Sequence, residues 1–291
     1  MRIALITDIH ANLPALEAVL RDVKAKRHAD LILSLGDQVN LGPCPRETLE
    51  LLRAHNVTCL HGNHEGYLLK AMQGDPAFSG ANFDVVRFQA ALLREEEITF
   101  PRTMELDGIT FCHAMPHDDR FPVWNPEKAI PLLREMTFDH PTHIICGHGH
   151  NPTHLRMGNL TLDSIGSVGC MDDGPAGAAP YAMLETGPGY AVIRPFYASY
   201  DTAPLPGLFL ASGMADACPV TARIACAQML SNVDYLLPFV IRAYQLAGER
   251  GESAISEGTW HLTDSLFPWP DGQTADAFWR AARAKAAQRS I

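Results

Sequence analysis

The chain has 291 residues, 47% of them hydrophobic and 19% charged, with a formal net charge of −10. That composition supports a sizeable buried core and excludes a disordered or fibrous chain. The acidic excess argues against a nucleic-acid polymer as partner, which needs a basic face, but is compatible with a small anionic substrate where bound cations reverse the local sign.

Residues 2–6, Arg-Ile-Ala-Leu-Ile, read as a buried strand, too short for a signal sequence. Asn12 caps a helix whose Leu13, Leu16, Val19, Leu20 and Val23 form one apolar stripe, with Pro14 suited to its first turn. Residues 31–35 make a second strand ending in Gly36-Asp37. Pro45 opens a helix carrying Leu49, Leu51 and Leu52, and residues 57–60 make a third strand ending in Gly62-Asn63-His64-Glu65. Strand, helix, strand, helix, strand predicts a parallel sheet. A single helix is expected over 83–97, a hairpin around Asp107-Gly108, a helix near 126–138, and a strand over 142–146 running into Gly147-His148-Gly149-His150. Short strands at 154–157, 160–163, 181–185 and 190–195 make the second half mainly antiparallel.

Pro204-Leu205-Pro206-Gly207 reads as a linker, residues 219–249 as a helix broken or kinked at Pro238, and 274–288 as a final helix. The expected fold is α/β in four layers, two mixed β-sheets packed face to face and flanked by helices, with a C-terminal helical extension. The division expected is a domain over 1–203 and an extension over 204–291. The extension has apolar stripes and no cluster of catalytic residue types. It is expected to pack on the core or to carry homo-oligomerisation, with Met214, Met229, Phe239 and Trp269 as core. The seven cysteines fall in apolar contexts with no Cys-x-x-Cys pair, which suits reduced thiols in a cytoplasmic protein. No apolar run approaches the ~18 residues of a membrane span.

Polar residues gather at the ends of these strands: Asp8 and His10 after the first, Asp37 after the second, Asn63 and His64 after the third, His113 after the hairpin, His148 and His150 after the strand ending at Cys146. Strand C-termini open onto one edge of an α/β sheet, where ligands collect. His148-Gly149-His150 alone is a weak signal. Seven ligand candidates together with His64 suit two borderline divalent ions. A single tetrahedral zinc needs four ligands, and Ca²⁺ or Mg²⁺ takes more oxygen. His61 and His154 match no ligand position, and Cys112 and Cys146 read as core. Arg46 reads as a helix-face ion pair or solvated residue, and Asn40 and Glu65 as residues orienting His64.

The order Asp8-Ile9-His10, Gly36-Asp37 with Gly42, Gly62-Asn63-His64-Glu65, His113 and Gly147-His148-Gly149-His150 resembles the calcineurin-like metallophosphoesterases. Gly166-Ser167-Val168-Gly169 is similar to a loop of their bacterial phosphodiesterase branch, and the likeness runs to about residue 203. The resemblance implies that Asp8, His10 and His150 hold one metal, that Asn63, His113 and His148 hold the other, and that Asp37 bridges them. It implies two divalent ions (Mn, Fe, Ni or Zn), a metal-activated water and His64 as general acid. Three positions depart from the pattern: Leu41 stands where protein phosphatases of the superfamily carry a phosphate-clamping arginine, Ala11 stands for a glycine, and His117 for an arginine. The reading is a dinuclear phosphoesterase acting on phosphodiesters or small nucleotide-like substrates. A phosphomonoesterase or protein phosphatase is the first alternative, and a metal-binding interaction scaffold the second.

Overall fold

The computed structural model describes residues 1–288. Its first strand shows how the layers arise. Along β1 (Arg2–Ile6) successive side chains point to opposite faces. Ile3 and Leu5 enter one apolar cluster with Phe111 and Ile145, while Ala4 and Ile6 enter another with Leu16, Val19 and Leu20. The helix bearing those leucines, α1 (Leu13–Lys26), is capped by Asn12, whose side chain accepts from the Ala15 N–H.

In chain order there follow β2 (Leu31–Ser34), α2 (Pro45–Ala54), β3 (Thr58–Cys59), α3 (Asn63–Met72), α4 (Asp84–Ala90) and α5 (Glu95–Ile98). Next come β4 (Thr103–Leu106), β5 (Ile109–Cys112), α6 (Pro126–Glu135), β6 (Thr142–Cys146), β7 (Thr153–Met157) and β8 (Leu160–Ser164). Two long strands, β9 (Ala178–Gly187) and β10 (Tyr190–Ser199), complete the set. One sheet has the order β10-β9-β1-β2-β3 and the other β4-β5-β6-β8-β7. Both are mixed: β1, β2 and β3 run parallel with β9 antiparallel to β1, and β5, β6 and β8 run parallel between antiparallel edges. The sheets meet through the Ile3–Leu5–Phe111–Ile145 cluster, α1 covers the outside of the first, and Ala129 and Leu133 of α6 cover the outside of the second. These are the four expected layers.

Several local expectations are corrected. The second half is mainly antiparallel as expected, in β7 with β8 and in β9 with β10 and β1. The centre of the second sheet, however, is parallel, because β7 turns back at Gly158 and lies outside β8, leaving β8 beside β6. The helix expected over 83–97 is two: α4 ends at Ala90, and α5 restarts where the Glu97 carboxylate accepts from the Arg94 N–H, a reciprocal cap that needs extended backbone at Arg94. The expected linker at 204–207 lies at the start of α7 (Leu205–Ala211), where Pro206 fits the first turn.

After α8 (Met214–Ala217), the 219–249 run divides into α9 (Pro219–Ser231) and α10 (Leu236–Glu249). The break is at Asn232, left-handed at φ 54°, while Pro238 sits harmlessly in the first turn of α10. The last described elements are α11 (Glu257–Leu266) and α12 (Ala275–Gln288).

Ten of the 13 residues of α9 are buried, so this helix has no solvent face and is the axis of its region. It shares one apolar cluster with Leu41, Leu49, Leu68, Val85 and Val86 of the first half, so the C-terminal helices pack directly on the core. Met214, Met229, Phe239 and Trp269 all lie in that cluster. Among the described residues, no helix is long and apolar enough to cross a membrane.

Candidate metal centre

The pairing of Ile6 with Ser34 and of Ser34 with Cys59 aligns the C-terminal ends of β1, β2 and β3. The turns that follow bring Asp8, His10, Asp37, Asn63 and His64 to one edge, while β5 and β6 deliver His113, His148 and His150 from the second sheet. Asp8, His10 and His150 form one group whose ligand atoms lie within 4.8 Å of one another, and Asp37, His113 and His148 form another. Asp37 also groups with His10 and His64. Its Oδ2 lies 3.2 Å from His113 Nε2, 3.8 Å from His64 Nε2 and 4.0 Å from His10 Nε2. Asn63 joins the second group, its Oδ1 being 2.8 Å from His113 Nε2. All eight residues singled out in the sequence therefore converge.

The backbone is bent to achieve this. Among the described residues eleven non-glycine residues have positive φ, and seven are Asp8, His10, Ala11, Asp37, Asn40, Leu41 and His148. Each such conformation costs about 1–3 kcal/mol, and strain concentrated in this way marks a functional edge. Two glycines allow the loops to interlock. A Cβ on Gly147 would lie 2.0 Å from Thr7 Oγ1, and one on Gly62 would lie 2.2 Å from Asp37 Oδ1.

Hydrogen bonds then fix what each group offers. Asp8 Oδ2 accepts from Thr7 Oγ1 (2.7 Å) and the His148 N–H (2.9 Å), leaving Oδ1 buried with no hydrogen-bond partner, 3.6 Å from His150 Nε2 and 3.9 Å from His10 Nε2. Asp37 Oδ1 accepts from the His64 N–H at 2.9 Å, which leaves Oδ2 for the cluster. His113 Nδ1 donates to the Leu35 carbonyl at 3.0 Å and His150 Nδ1 to Asp172 Oδ1 at 3.0 Å, so in each neutral ring the Nε2 lone pair faces inward. His10 and His150 bring their Nε2 atoms to 3.2 Å from each other. Converging lone pairs and an orphaned buried carboxylate oxygen fit cations, and the mixture of imidazole with carboxylate fits borderline divalent ions.

The electrostatics of the site agree. Burial pushes the Asp8 carboxyl up, while His113 and His64 hold Asp37 well below the usual range in spite of burial. Burial and the neighbouring His113 take His148 down to about 3, an imidazole available as a ligand throughout the neutral range. Burial would lower His113 as well, but Asp37, Asp8 and Glu65 push it up to about 10. Two like carboxylates in a buried cluster stay charged only with cations beside them, a place that divalent ions would take.

Supporting residues include several that the sequence did not reveal. Asp172 has no motif to announce it. Ser167 Oγ donates to the Asp8 carbonyl at 2.7 Å, which gives the Gly-Ser-Val-Gly loop a structural task. Gln89 accepts from the Asn40 N–H (2.9 Å) and donates to the Gly42 carbonyl (2.7 Å), holding the Asn40-Leu41 turn. Asn40 does contact His64, Nδ2 to Nδ1 at 2.8 Å. Glu65 does not: its carboxylate accepts from the N–H groups of Asp37, Gln38, Val39 and Gly62 and so braces the Asp37 turn. Arg46 is exposed, as expected of a solvated residue, and its guanidinium also donates to the Leu92 carbonyl. His61 is buried beside the site, His154 is exposed and pairs with Asp163, and Cys112 and Cys146 are buried core.

A cleft of about 390 Å³ opens from the cluster. Asp37, Asn63, His64, His148 and His150 line its floor, and its far wall comes from α9 and α10 of the C-terminal segment. His64 is 16% exposed at the mouth of the floor, where it can reach both a ligand and Asp37.

Comparison with known proteins accords with this geometry. The chain is 31% identical over 169 residues to an uncharacterized protein of Methanocaldococcus jannaschii, covering 55% of this chain and 67% of that protein. It is 32% identical over 110 residues to a symmetrical bis(5'-nucleosyl)-tetraphosphatase of Aromatoleum aromaticum, covering 37% of this chain and 40% of that enzyme. Thus it spans about two thirds of the first relative and less than half of the second. A crystal structure of a metallophosphoesterase from Sphaerobacter thermophilus superposes with a TM-score of 0.60 at 27% identity, covering 80% of this chain and all of that one. The model of the calcineurin-like phosphoesterase family matches residues 1–176, the segment that carries every residue of the metal cluster, and the chain belongs to that family.

Proposed function

We propose that the protein is a dinuclear metal-dependent phosphoester hydrolase acting on phosphodiesters or small nucleotide-like esters. One observation carries the reading: Asp37 belongs at once to a group with His113 and His148 and to a group with His10. In this reading Asp8, His10 and His150 hold one divalent ion, Asn63, His113 and His148 the other, and Asp37 lies between them, with Mn, Fe, Ni or Zn as the ions. When bound, such a pair lowers the pKa of water, clamps phosphoryl oxygens and neutralises charge in an in-line displacement. The catalytic unit is assigned to residues 1–203, with 204–291 as its helical extension, in a cytoplasmic protein.

His64 is assigned the leaving-group proton. Its Nε2 faces Asp37 Oδ2 across 3.8 Å at the cleft floor, and its Nδ1 rests on Asn40. With Asn40 Nδ2 donating to Nδ1, the proton sits on Nε2, toward the cleft. A half-turn of the amide presents Oδ1, which is buried without a partner, and lets it accept from a protonated Nδ1. Proton donation to a departing alkoxide contributes about 10²–10⁴-fold.

Diester preference is favoured by the cleft's composition, because no Arg or Lys is among the described residues lining it. A monoester dianion gains most from a bidentate guanidinium. Leu41 stands at the turn instead, 5% exposed and part of the apolar cluster. The scaffold alternative is disfavoured by a retained His64. The test is kcat/KM of the Mn²⁺-reconstituted full chain on a matched aryl phosphodiester and monoester. A higher value for the diester is expected, and a wide preference for the monoester would replace this reading with the phosphatase one.

A further inference from the structure

The far wall of the cleft is chemically unlike its floor. Leu236, Leu237, Val240 and Tyr244 of α10 face it, with Phe83 and Trp124 contributed from elsewhere around the rim. Leu237, Tyr244 and Trp124 are 42%, 54% and 41% exposed, so three large apolar side chains stand in water around one opening. Apolar surface gathered beside convergent polar groups is the ordinary make-up of a small-molecule site.

The polar groups of this wall are committed elsewhere. Thr221 Oγ1 donates to Asp84 Oδ1 at 2.5 Å, and Gln228 Nε2 donates to Asp172 Oδ1 at 3.0 Å. The ionisable residues beyond the metal ligands and His64 are Asp172, Asp234 and the two tyrosines Tyr67 and Tyr244. A chain of further phosphates laid along this wall would meet Asp172 and Asp234 and no cation among the described lining residues, Lys128 Nζ standing instead 5.5 Å from the Trp124 ring centroid.

We propose that α10, with Phe83 and Trp124, forms a subsite for an uncharged aromatic ester arm, and that the substrate carries one phosphodiester group and not a polyphosphate chain. The proposal rests on the diesterase reading above and adds the nature of the arm that stays on phosphorus. It places much of the specificity in α10, outside the 1–176 region that the family model matches, with Phe83 and Trp124 contributed from inside it. A flat arm held between Tyr244 and Trp124 uses aromatic faces, while the phosphodiester anion stays over the ligand cluster. It also separates this chain from the relatives named as tetraphosphatases, whose matches cover less than half of either protein.

Two diesters with one leaving group test it on the Mn²⁺-loaded full chain: bis(p-nitrophenyl) phosphate, which retains an aryl arm, and methyl p-nitrophenyl phosphate, which retains a methyl. The aryl-arm diester is expected to have a KM lower by about tenfold, the size of a lost apolar contact in a pocket. The double variant Leu237→Ala/Tyr244→Ala, at exposed positions, should remove that difference by raising KM for the aryl-arm diester. A second readout needs no turnover. On the protein loaded with diamagnetic Zn²⁺, diphenyl phosphate, but not dimethyl phosphate, should shift the indole N–H resonance of Trp124, assigned through Trp124→Phe. Equal KM values in the wild type, an undiminished ratio in the double variant, or an unmoved indole would each overturn the subsite. A higher kcat/KM for diadenosine tetraphosphate than for bis(p-nitrophenyl) phosphate would overturn the single-phosphate claim. Turnover of neither diester would sink the diesterase reading itself, and the indole shift would then decide the subsite separately.

Discussion

Gln228 donates to Asp172 through a 3.0 Å bond to Oδ1, the same oxygen that lies 3.0 Å from His150 Nδ1. A buried helix of the C-terminal segment is thereby joined, through one carboxylate, to a candidate metal ligand. Partners of this kind set ring orientation and raise ligand basicity, and losing one typically costs about 10–100-fold in metal affinity. Gln228→Leu should therefore weaken Mn²⁺ or Zn²⁺ binding at one of the two positions by that factor. Titration of the metal-free protein should separate one weakened site from one unchanged site. Two unchanged affinities would leave Gln228 with a packing role only.

Asp37→Ala should remove more bound metal than any other single substitution. Its Oδ2 faces both ligand groups, so its loss takes a ligand from each. Elemental analysis should find two ions per wild-type chain and fewer than one in the variant. Two ions retained by Asp37→Ala would end the bridging assignment.

His64→Ala should leave the metal content near normal, because His64 belongs to neither of the two ligand sets assigned above. Turnover should fall by about 10² or more, with the loss shrinking as the leaving group improves. The check is a series of aryl esters of graded phenol pKa. A loss of equal size along that series would deny His64 the role of general acid.

Asn40→Asp should move the pH profile. Burial, His150 and His113 together hold His64 below its ordinary pKa in spite of Asp37. A carboxylate 2.8 Å from Nδ1, where the amide now stands, favours the imidazolium and raises that pKa. If the protonated ring is the active form, activity is lost as pH rises through this pKa. The alkaline limb of the kcat profile should therefore shift to higher pH in the variant. A limb that stays put or shifts down assigns the titration to another group.

Glu65→Gln should be costly beyond its size. One buried carboxylate accepts from four backbone N–H groups of two turns, and an amide replaces one acceptor oxygen with a donor. Stranding the two donors on that oxygen should cost roughly 3 kcal/mol, read as a lower Tm by calorimetry. Metal content should fall with it, since the Asp37 turn loses its brace. A stable variant with full metal would show that the turn holds its shape unaided.

The ligand cluster was legible because each of its members ends an apolar strand, and periodicity marks strands well. The four layers follow from the same signal, with Ile3 and Leu5 facing one way and Ala4 and Ile6 the other. What escaped was set by tertiary context. Asp172 sits in Met171-Asp172-Asp173, and only the folded chain brings it to His150. Glu65 looked like a partner for His64 because it is adjacent in sequence, yet on α3 it points back to the turns it braces. Pro238 looked like a breaker, but a proline in the first turn costs little, and the left-handed Asn232 makes the break. The cleft's apolar wall was invisible as such, since Leu237 and Tyr244 differ from core residues only in what they face.

The position of β1 in its sheet has a consequence for how the molecule comes into being. β1 lies between β2 and β9, with Arg2 paired to Glu185 and Leu5 to Ala182. Its outer edge stays open on the nascent chain until some 185 residues have been made, and the helices that wall the cleft emerge later still. Pairings so distant in sequence are slow to form, because loop closure must be achieved before they stabilise anything. The first half of the ligand set is thus synthesised long before His148 and His150 can join it. Refolding from denaturant should show strand and helix signals well ahead of the recovery of tight metal binding, with the lag removed by neither added metal nor higher protein concentration.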